Sequence, residues 1–316
     1  MILTVTPNAA LDKTYRIEDF CLDRVHRPSQ MSVVAGGKGL NVARVYQKLG
    51  GETLNTGFLG GLNGRFITRA MRQEKMADAF VRVRGESRVC MGIVDPRHRT
   101  QTEINELGPE VSARAVRALR QRVADLLTLQ RFEFLVLAGS LPPQAPNTLY
   151  AELIEIAHKT HTPAVLDASG AALKEGLRAR PWMVKPNRVE LESVVGRPLL
   201  TLKETMEAAQ QLQVEGSAVV VATRGAEGAV LVMDTGVWIA APPPVPFVSA
   251  VASGDTFLAA FLWEWGHGAR SHDPESALRL ATGAGAANAA TIGAGFCTRE
   301  EIEALAAQAQ IQPVFP

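Results

Sequence analysis

The sequence is poor in cysteine, has no long hydrophobic run and carries almost no net charge. Its three cysteines, Cys21, Cys90 and Cys297, lie far apart and form no C-x-x-C pair, which argues against a disulfide framework and a zinc cluster. A net charge of +1 at pH 7 gives no general attraction to nucleic acid or to an anionic membrane. No stretch of about 18 uncharged apolar residues occurs, and the N-terminus lacks the pattern of a secretory signal. We therefore expect a cytoplasmic protein with neither nucleic acid nor membrane as a partner.

The chain also lacks the dinucleotide-binding fingerprint G-x-G-x-x-G after its first predicted strand, with an acidic residue about 20 positions further on. This absence argues against a nicotinamide-dependent oxidoreductase. Hydrophobic residues make up 47% and charged residues 21% of the 316 residues, which is the balance of a soluble globular enzyme. At this length we expect one large domain with a smaller appendage.

Short apolar runs alternate with stretches of helical periodicity through most of the chain. Such runs, joined by helices, predict a mostly parallel sheet covered by helices on both faces. Each run ends in polar or glycine residues, so we expect the chemistry at one edge of this sheet. Strands are predicted at 1–6, 53–59, 134–138, 164–166, 183–184, 218–222 and 229–233.

Two other β-rich stretches interrupt this alternation. Short β-type pieces lie between residues 14 and 34, and residues 88–94 and 100–107 read as a hairpin. Together they predict a small separate sheet, a lid built from about residues 12–35 and 87–108. Arg88 opens an apolar strand there, where a bound phosphate is a suitable partner for its guanidinium.

The stretch S-A-V-A-S-G-D-T-F at 249–257 predicts an anion site next to a base. Ser253 and Gly254 carry small side chains, so their backbone amides can approach a ligand, and the following helix directs the positive end of its dipole there. Asp255 is placed to accept a proton from an attacking hydroxyl. An ordinary helix start is the alternative interpretation.

Two further glycine-containing segments predict close approach of the backbone to a neighbour. The sequence A-G-G-K-G-L-N at 35–41 precedes a helical pattern, and its Lys38 adds a charge; the alternatives are ligand binding and a plain glycine-rich turn. Gly283 and Gly285 lie inside an alanine-rich helix predicted at 276–290, so either a ligand or another helix is expected close to them.

Five motifs in order carry a resemblance that covers essentially the whole chain: A-G-G-K-G-L-N-V from 35, G-S-L-P from 139, K-P-N-R-V-E-L from 185, T-R-G-A-E-G from 223 and A-S-G-D from 252. Together they resemble the PfkB, or ribokinase-like, sugar kinases. The segments T-P-N-A-A-L-D and T-E-I-N-E-L-G-P-E look most like the branch of tagatose-6-phosphate kinase and 1-phosphofructokinase. The resemblance implies a single three-layer ribokinase-like α/β domain over residues 1–316 with a β lid, and a homodimer formed through that lid.

The resemblance also implies a role for each matching residue near the acceptor sugar. Asp255 would take the proton of the acceptor hydroxyl, and the amides of Ala252, Ser253 and Gly254 would form an anion hole for the moving phosphoryl group. Asp12 and Asn41 would hold sugar hydroxyls. The residues expected around the sugar and its existing phosphate are Asp12, Gly36, Gly37, Lys38, Asn41, Arg88 and Ser140.

By the same resemblance, ATP is the phosphoryl donor and Mg²⁺ its companion ion. Asn187 and Glu190 would support Mg²⁺, mostly through water. The residues expected along the nucleotide are Lys185, Asn187, Thr223, Gly225 and Gly228, with the segment 283–288, including Gly283 and Asn288, beside the adenine.

The sequence departs from the family pattern at three places. Ala252 stands where the family usually has glycine, which restricts the backbone at the anion hole. Gly92 stands where many 1-phosphofructokinase-like sequences carry lysine, which favours tagatose 6-phosphate as the acceptor. Thr223 and Arg224 replace the commoner Ser-Leu, although the threonine hydroxyl can still donate to a phosphate.

The resulting prediction is an ATP-dependent kinase that converts a ketohexose monophosphate into a bisphosphate, with tagatose 6-phosphate preferred. The alternatives are 1-phosphofructokinase, then 6-phosphofructokinase or a ribose or nucleoside kinase. A non-catalytic sugar-phosphate sensor is a further alternative, which Ala252 keeps open. Lys38 and Arg88 favour an acceptor that is already phosphorylated.

Overall fold

Strands and helices alternate along residues 1–314, which are the part of the chain that the computed structural model describes. The strands are β1 Ile2–Thr6, β2 Ala10–Arg16, β3 Gln30–Gly36, β4 Thr53–Gly60, β5 Ala77–Asp78, β6 Val81–Val83, β7 Arg88–Asp95, β8 Thr100–Asn105, β9 Phe134–Ala138, β10 Ala164–Asp167, β11 Met183–Val184, β12 Val219–Thr223, β13 Ala229–Met233, β14 Gly236–Ala241 and β15 Gln310–Val314. The helices are α1 Lys38–Lys48, α2 Gly61–Gln73, α3 Ala113–Leu129, α4 Leu149–Lys159, α5 Gly170–Arg178, α6 Arg188–Val195, α7 Leu202–Val214, α8 Ser253–His267, α9 Pro274–Ala289 and α10 Arg299–Ala306.

The main sheet has the strand order β15-β14-β13-β12-β11-β10-β9-β1-β4-β5, and β6 adds to β4. All pairs from β12 to β5 are parallel, because a helix lies between consecutive strands and returns the chain to the same edge. The three pairs between β12 and β15 are antiparallel. Only a short 3₁₀ turn, Gly225–Glu227, separates β12 from β13, which is too short for a crossover. The predicted mostly parallel sheet is confirmed.

Helices cover both faces of the main sheet, as the apolar strands predict. Successive side chains of a strand point to opposite faces. In β9, Leu135 and Leu137 join a core with α3, α4, α5, α6 and α7, whereas Phe134 and Val136 join a core with α1, α8, α9 and α10. The buried strands therefore lie between two helical layers.

A second sheet of four strands, in the order β3-β2-β7-β8, is formed by the two stretches predicted for the lid. The pair β2 and β7 is parallel, and the two outer pairs are antiparallel. In the register of this small sheet, Asp12 lies beside Val34 and Cys90, and Cys90 lies beside Asn105. The small sheet is confirmed, and its action as a lid stays a prediction.

The glycines of α9 are explained by helix packing. A Cβ atom at Gly283 would lie 2.3 Å from the backbone nitrogen of Ala306 in α10, and Gly285 faces Phe257 in α8. Of the two alternatives left open by the sequence, a neighbouring helix is what approaches these glycines. Within residues 1–314, no helix combines the length and apolarity needed to cross a membrane.

Candidate active site

The turn that leads into α8, residues 249–254, is called the catalytic turn below. Ala252 caps the helix in the left-handed conformation, with φ 60° and ψ 10°, which glycine adopts more easily than alanine. The amide of Ser253 donates to the carbonyl of Ala250 at 3.2 Å. Across residues 1–314, no acceptor is found for the amides of Ala252 and Gly254. The amide of Ser253 thus closes the turn, and the expected set of three anion-hole amides stays a prediction.

Asn288, near the C-terminal end of α9, holds the catalytic turn by hydrogen bonds. Its Nδ2 donates to the carbonyl of Val251 at 2.6 Å and to Oγ of Ser253 at 3.1 Å, and its Oδ1 accepts from the amide of Gly295 at 2.8 Å. Asn288 is fully buried. The side chain of Asn288 is therefore used inside the protein, and the expectation that the segment 283–288 lies beside the adenine stays a prediction. Gly283 is likewise turned toward α10.

Asp255 lies in the first turn of α8 and is only 5% exposed. Its Oδ2 accepts a hydrogen bond of 2.9 Å from Nδ2 of Asn41 in α1. Burial, followed by the negative charge of Asp167, raises the pKa of Asp255 to about 6, against the opposing effects of Lys38 and Asn41. A carboxylate with this pKa is a stronger base than usual and still largely ionised at pH 7, as a general base requires.

Arg44 fixes the orientation of Asn41, a role that the sequence analysis missed. It is 4% exposed, and its Nη1 donates to Oδ1 of Asn41 at 3.1 Å. The amide of Asn41 must therefore present its nitrogen to Asp255. Nε of Arg44 donates to Glu74 at 2.6 Å, and Nη2 donates to the carbonyl of Ala35 at 2.5 Å. The sequence signal for this role is a basic residue that lies three positions after Asn41 in a helix and is flanked by apolar residues.

Asp167, at the end of β10, is the second functional residue that the sequence analysis did not select. Oδ1 accepts from Nζ of Lys38 at 2.8 Å, and Oδ2 lies 3.0 Å from Nζ of Lys185. Asp167 is fully buried, yet the two lysines overcome the effect of burial and lower its pKa. Its signal was a carboxylate directly after a buried apolar strand.

Lys38 lies among carboxylates in the structure. Besides Asp167, its Nζ contacts Glu190 at 3.4 Å. Burial favours the neutral amine, but the carboxylates of Asp167, Glu190 and Asp255 outweigh it and raise the pKa of Lys38 above its usual value. Lys38 therefore stays positively charged among the carboxylates of Asp167 and Glu190. Its expected contact with the sugar phosphate stays a prediction.

Lys185 brings a second cation to the start of α8. A Cβ atom at Gly254 would lie 3.4 Å from Nζ of Lys185, so glycine permits this approach. The ammonium group, the unpartnered amides of Ala252 and Gly254 and the helix dipole therefore converge at one point. Such a point is suited to an anion, and its predicted role as a phosphoryl site stays a prediction.

The small sheet contributes two of the predicted residues, Asp12 in β2 and Arg88 at the start of β7. A Cβ atom at Gly36 would lie 2.0 Å from Cγ of Asp12, so only glycine leaves room for this carboxylate. Burial raises the pKa of Asp12 to about 6, although the cations of Arg88 and Arg44 oppose the rise. Nε of Arg88 donates to the carbonyl of Asn8 at 3.0 Å. An acidic and a basic side chain thus share one face of the small sheet, and their contact with a sugar phosphate stays a prediction.

Gly37 and Ser140 lie beside the loop between β1 and β2. Gly37 has φ 103°, and a Cβ atom there would lie 2.9 Å from Cγ2 of Thr6. The hydroxyl of Ser140 is exposed at the end of β9 and accepts from Nδ2 of Asn8 at 3.3 Å. The structure therefore brings both residues beside the loop that joins β1 of the main sheet to β2, the strand of the small sheet that carries Asp12.

Five of the nucleotide residues proposed from the sequence lie at or after the ends of the adjacent strands β11 and β12, namely Lys185, Asn187, Thr223, Gly225 and Gly228. Thr223 ends β12, and its amide donates to the carbonyl of Pro186 at 3.0 Å, which brings it beside Asn187. Gly228 is required because a Cβ atom would lie 1.8 Å from the carbonyl oxygen of Ala240. Nothing lies within 4 Å of the corresponding position at Gly225, so this backbone is open to a ligand.

The side chains of Asn187 and Glu190 form a capping box at the start of α6. Oε2 of Glu190 accepts from the amide of Asn187 at 2.8 Å, and Oδ1 of Asn187 accepts from the amide of Glu190 at 2.9 Å. In the described chain, no group of three or more His, Cys, Asp or Glu side chains is arranged to hold a metal. Mg²⁺ usually keeps several waters and binds one or two carboxylates with substrate phosphates. The donor set fits an ion that Glu190 contacts through water.

Comparison with known proteins agrees with this architecture. The family model described as pfkB family carbohydrate kinase matches residues 6–301. The chain belongs to the PfkB family of carbohydrate kinases. This membership confirms the predicted family and the prediction of an ATP-dependent phosphotransferase.

Relatives and solved structures of the family cover nearly the whole chain. The 1-phosphofructokinase of Vibrio cholerae is 34% identical over 100% of this chain and 98% of its own length, and that of Bacillus subtilis is 31% identical over 92% of each. A Thermotoga maritima structure described as a possible 1-phosphofructokinase has a TM-score of 0.90 at 26% identity and covers 100% of both chains. Phosphofructokinase-2 from Escherichia coli, in complex with substrates and products, has a TM-score of 0.89 at 27% identity, covering 97% of this chain and 98% of its own. The predicted ribokinase-like fold is confirmed.

Proposed function

We propose that this PfkB kinase transfers the γ-phosphoryl group of ATP to a hydroxyl of a ketohexose monophosphate, with fructose 1-phosphate as the acceptor and fructose 1,6-bisphosphate as the product. The buried Asp255 beside two unpartnered amides is the observation that carries the chemistry. The acceptor is supported by relatives of 31–35% identity that are named 1-phosphofructokinase. The earlier preference for tagatose 6-phosphate has no such support.

In this mechanism Asp255 accepts the proton of the attacking hydroxyl. Its pKa of about 6 allows this at neutral pH, and Asn41 orients the carboxylate through the hydrogen bond to Oδ2. The amides of Ala252 and Gly254, with Lys185, stabilise the charge on the phosphoryl group in transit. Phosphoryl transfer needs positioning and charge neutralisation more than covalent chemistry, and these groups supply both.

The donor ATP binds along the loops that carry Lys185, Asn187, Thr223 and Gly225. The open backbone at Gly225 and the hydroxyl of Thr223 are suited to phosphate oxygens. Mg²⁺, bound with ATP, neutralises the charge of the phosphates. Glu190 would hold this ion through water while it keeps its hydrogen bond to the amide of Asn187.

The acceptor binds between the main sheet and the small sheet. Asp12 accepts hydrogen bonds from sugar hydroxyls, and Arg88 binds the phosphate that the sugar already carries. In the described part of the chain, the Arg88 guanidinium donates to the backbone carbonyls of Asn8 and Glu106, so its charge remains available for this phosphate. Its hydrogen bonds to backbone carbonyls hold it in place.

Tagatose 6-phosphate is the second candidate acceptor, and Gly92 is the observation that favours it. Gly92 lies opposite Glu103 in the small sheet, and the nearest atom to a Cβ atom there would be Oγ1 of Thr14 at 3.9 Å. This open space and the missing cation allow a different position of the substrate phosphate.

Release of ADP with Mg·ATP tests the proposal across fructose 1-phosphate, tagatose 6-phosphate, fructose 6-phosphate, fructose and ribose. We expect kcat/KM for fructose 1-phosphate to exceed the others by at least about tenfold, a difference of one hydrogen bond to a charged group. A preference for tagatose 6-phosphate would select the second candidate. If only unphosphorylated sugars react, Arg88 does not bind a substrate phosphate. If none of the sugars reacts, the protein is better explained as a sugar-phosphate sensor.

We also propose that the outer face of the small sheet forms a homodimer. One row across this face consists of Val33, Lys13, Met91 and Ile104, according to the strand register. Met31, in the next row, is 58% exposed, and Ile104 is 56% exposed. Exposed apolar side chains on a sheet face are buried favourably by a second copy.

A further inference from the structure

A contact joins the small sheet directly to the catalytic turn. Oε1 of Gln101, in β8, accepts from Oγ of Ser249 at 3.1 Å and from the amide of Ala250 at 3.2 Å. Ser249 is fully buried. The turn that carries Ala252 is thereby attached to a strand that is 148 positions away in sequence from Ser249.

The amide of Gln101 is oriented by its own strand. Its Nε2 donates to Oε1 of Glu103 at 2.7 Å, and Oε2 of Glu103 accepts from Nδ2 of Asn105 at 3.3 Å. These residues alternate along β8 and therefore share one face. With its nitrogen held by Glu103, Gln101 must present its oxygen to the catalytic turn.

The catalytic turn needs such support because its conformation is unfavourable for the residues in it. Ala252 has φ 60°, and a strained residue persists only where its surroundings hold it. Asn288 holds the turn at Val251 and Ser253. Gln101 holds the other end, where the carbonyl of Ala250 accepts from the amide of Ser253.

We infer that Gln101 is a positioning residue, which holds the catalytic turn in its phosphoryl-binding geometry and links that geometry to the small sheet. The inference rests on the proposed phosphoryl transfer. Because the same small sheet carries Asp12 and Arg88, the residues that bind the sugar phosphate and the amides that receive the phosphoryl group are kept in register. In this proposal Gln101 acts through Ser249 and Ala250 and not by contact with a substrate.

The variant Gln101→Met keeps the length of the side chain and removes the acceptor. We expect kcat to fall roughly tenfold, as for one or two lost hydrogen bonds, while KM for ATP changes less than about twofold. Hydrogen exchange of the amides in residues 247–256 should become faster, because the amide of Ala250 loses its acceptor.

Two matched variants separate positioning from folding. The double variant Gln101→Glu with Glu103→Gln exchanges the amide and the carboxylate, so it keeps both acceptor contacts, the bond between the two side chains and the net charge; kcat should return to near the wild-type value. Gln211→Met makes the same substitution at an exposed position of α7 and should leave kcat and exchange unchanged.

The outcomes distinguish this inference from the proposed function. If Gln101→Met leaves both kcat and the exchange of residues 247–256 at wild-type values, the positioning role is overturned. If the double variant is as impaired as Gln101→Met, the acceptor chemistry is overturned as the cause. If the wild type phosphorylates no sugar, the proposed function fails, and the exchange measurement alone decides whether Gln101 holds the turn.

Discussion

At the scale of single residues, the site depends on buried side chains that stay charged because neighbouring groups stabilise the charge. Asp255 keeps a pKa of about 6 because burial and Asp167 raise it while Lys38 and Asn41 limit the rise. Fully buried Asp167 remains ionised because two lysines contact it. A carboxylate near neutral pKa and a permanent anion beside it thus perform different tasks within one cleft.

The variant Asp255→Asn tests the base. We expect kcat to fall by roughly 10²-fold or more, the scale of a lost general base, while ATP binding persists. In the wild type, kcat should fall as the pH drops through about 6, because protonated Asp255 cannot accept the hydroxyl proton. Steady-state kinetics from pH 5 to 8 and ATP titration measure both effects. Near-normal turnover would remove Asp255 from this role.

The variant Ala252→Gly tests the strain in the catalytic turn. The left-handed conformation costs alanine about 1 kcal/mol relative to glycine, so the free energy of unfolding should rise by about that amount. Activity should be unchanged or higher, since the amide keeps its position. Urea denaturation and kcat provide the measurements, and a large loss of activity would identify the alanine as a specific adaptation.

At the scale of elements, α1 connects the base to the rest of the molecule. Asn41 meets Asp255 on one side, while Arg44 bonds to Asn41, to Glu74 after α2 and to the carbonyl of Ala35 in β3. A single turn of helix therefore couples the base to the small sheet and to α2.

The variant Arg44→Lys keeps a cation near Glu74 but cannot make the same set of planar hydrogen bonds. Asn41 then loses its fixed orientation, and its bond to Asp255, which lowers the pKa of that carboxyl, weakens. We expect kcat at pH 7 to fall roughly tenfold. The acid limb of the pH profile should also move to higher pH. The exposed Arg69→Lys is the control, and an unchanged profile would contradict the orienting role.

The variant Gly283→Ala separates helix packing from nucleotide contact. Its methyl group would meet the backbone of α10 at Ala306, so the free energy of unfolding should fall by about 2 kcal/mol, as in overpacked cores. KM for ATP should stay constant in the folded variant. Thermal unfolding and ATP kinetics give the comparison, and a raised KM without lost stability would restore the nucleotide role.

At the scale of the whole molecule, two helical layers fix the main sheet, and the small sheet lies apart from both cores. Its strands bury fewer of their residues than those of the main sheet; β8 has no buried residue, whereas β9 is buried throughout. The small sheet therefore has an uncovered face, which is where we propose that a second copy binds.

The pair of substitutions Met31→Glu and Ile104→Glu should convert the proposed dimer to a monomer, because two apolar contacts on each copy are replaced by charges. Light scattering after size-exclusion chromatography measures the mass. Leu129→Glu, at the exposed end of α3, is the matched control and should leave the mass unchanged. A monomeric wild type would contradict the dimer.

Much of the fold and part of the site were predictable from local pattern. The apolar runs predicted the strands of the main sheet, because a continuous run of apolar residues indicates a strand that is buried on both faces. The helix start at Asp255 and the glycine segment before α1 were visible because turns and helix starts depend on residues close in sequence. The motifs, in order, also indicated the family that the comparisons confirm.

The tertiary structure alone decided which distant groups meet. Asp167 became a site residue because β10 lies beside β9 and β11, which brings Lys38 and Lys185 to its carboxylate. Lys38 turned toward carboxylates, and Gly283 toward α10, through contacts that no local pattern records. The sequence determines local conformation and burial, but pairings between residues more than a hundred positions apart depend on how the sheet and helices pack.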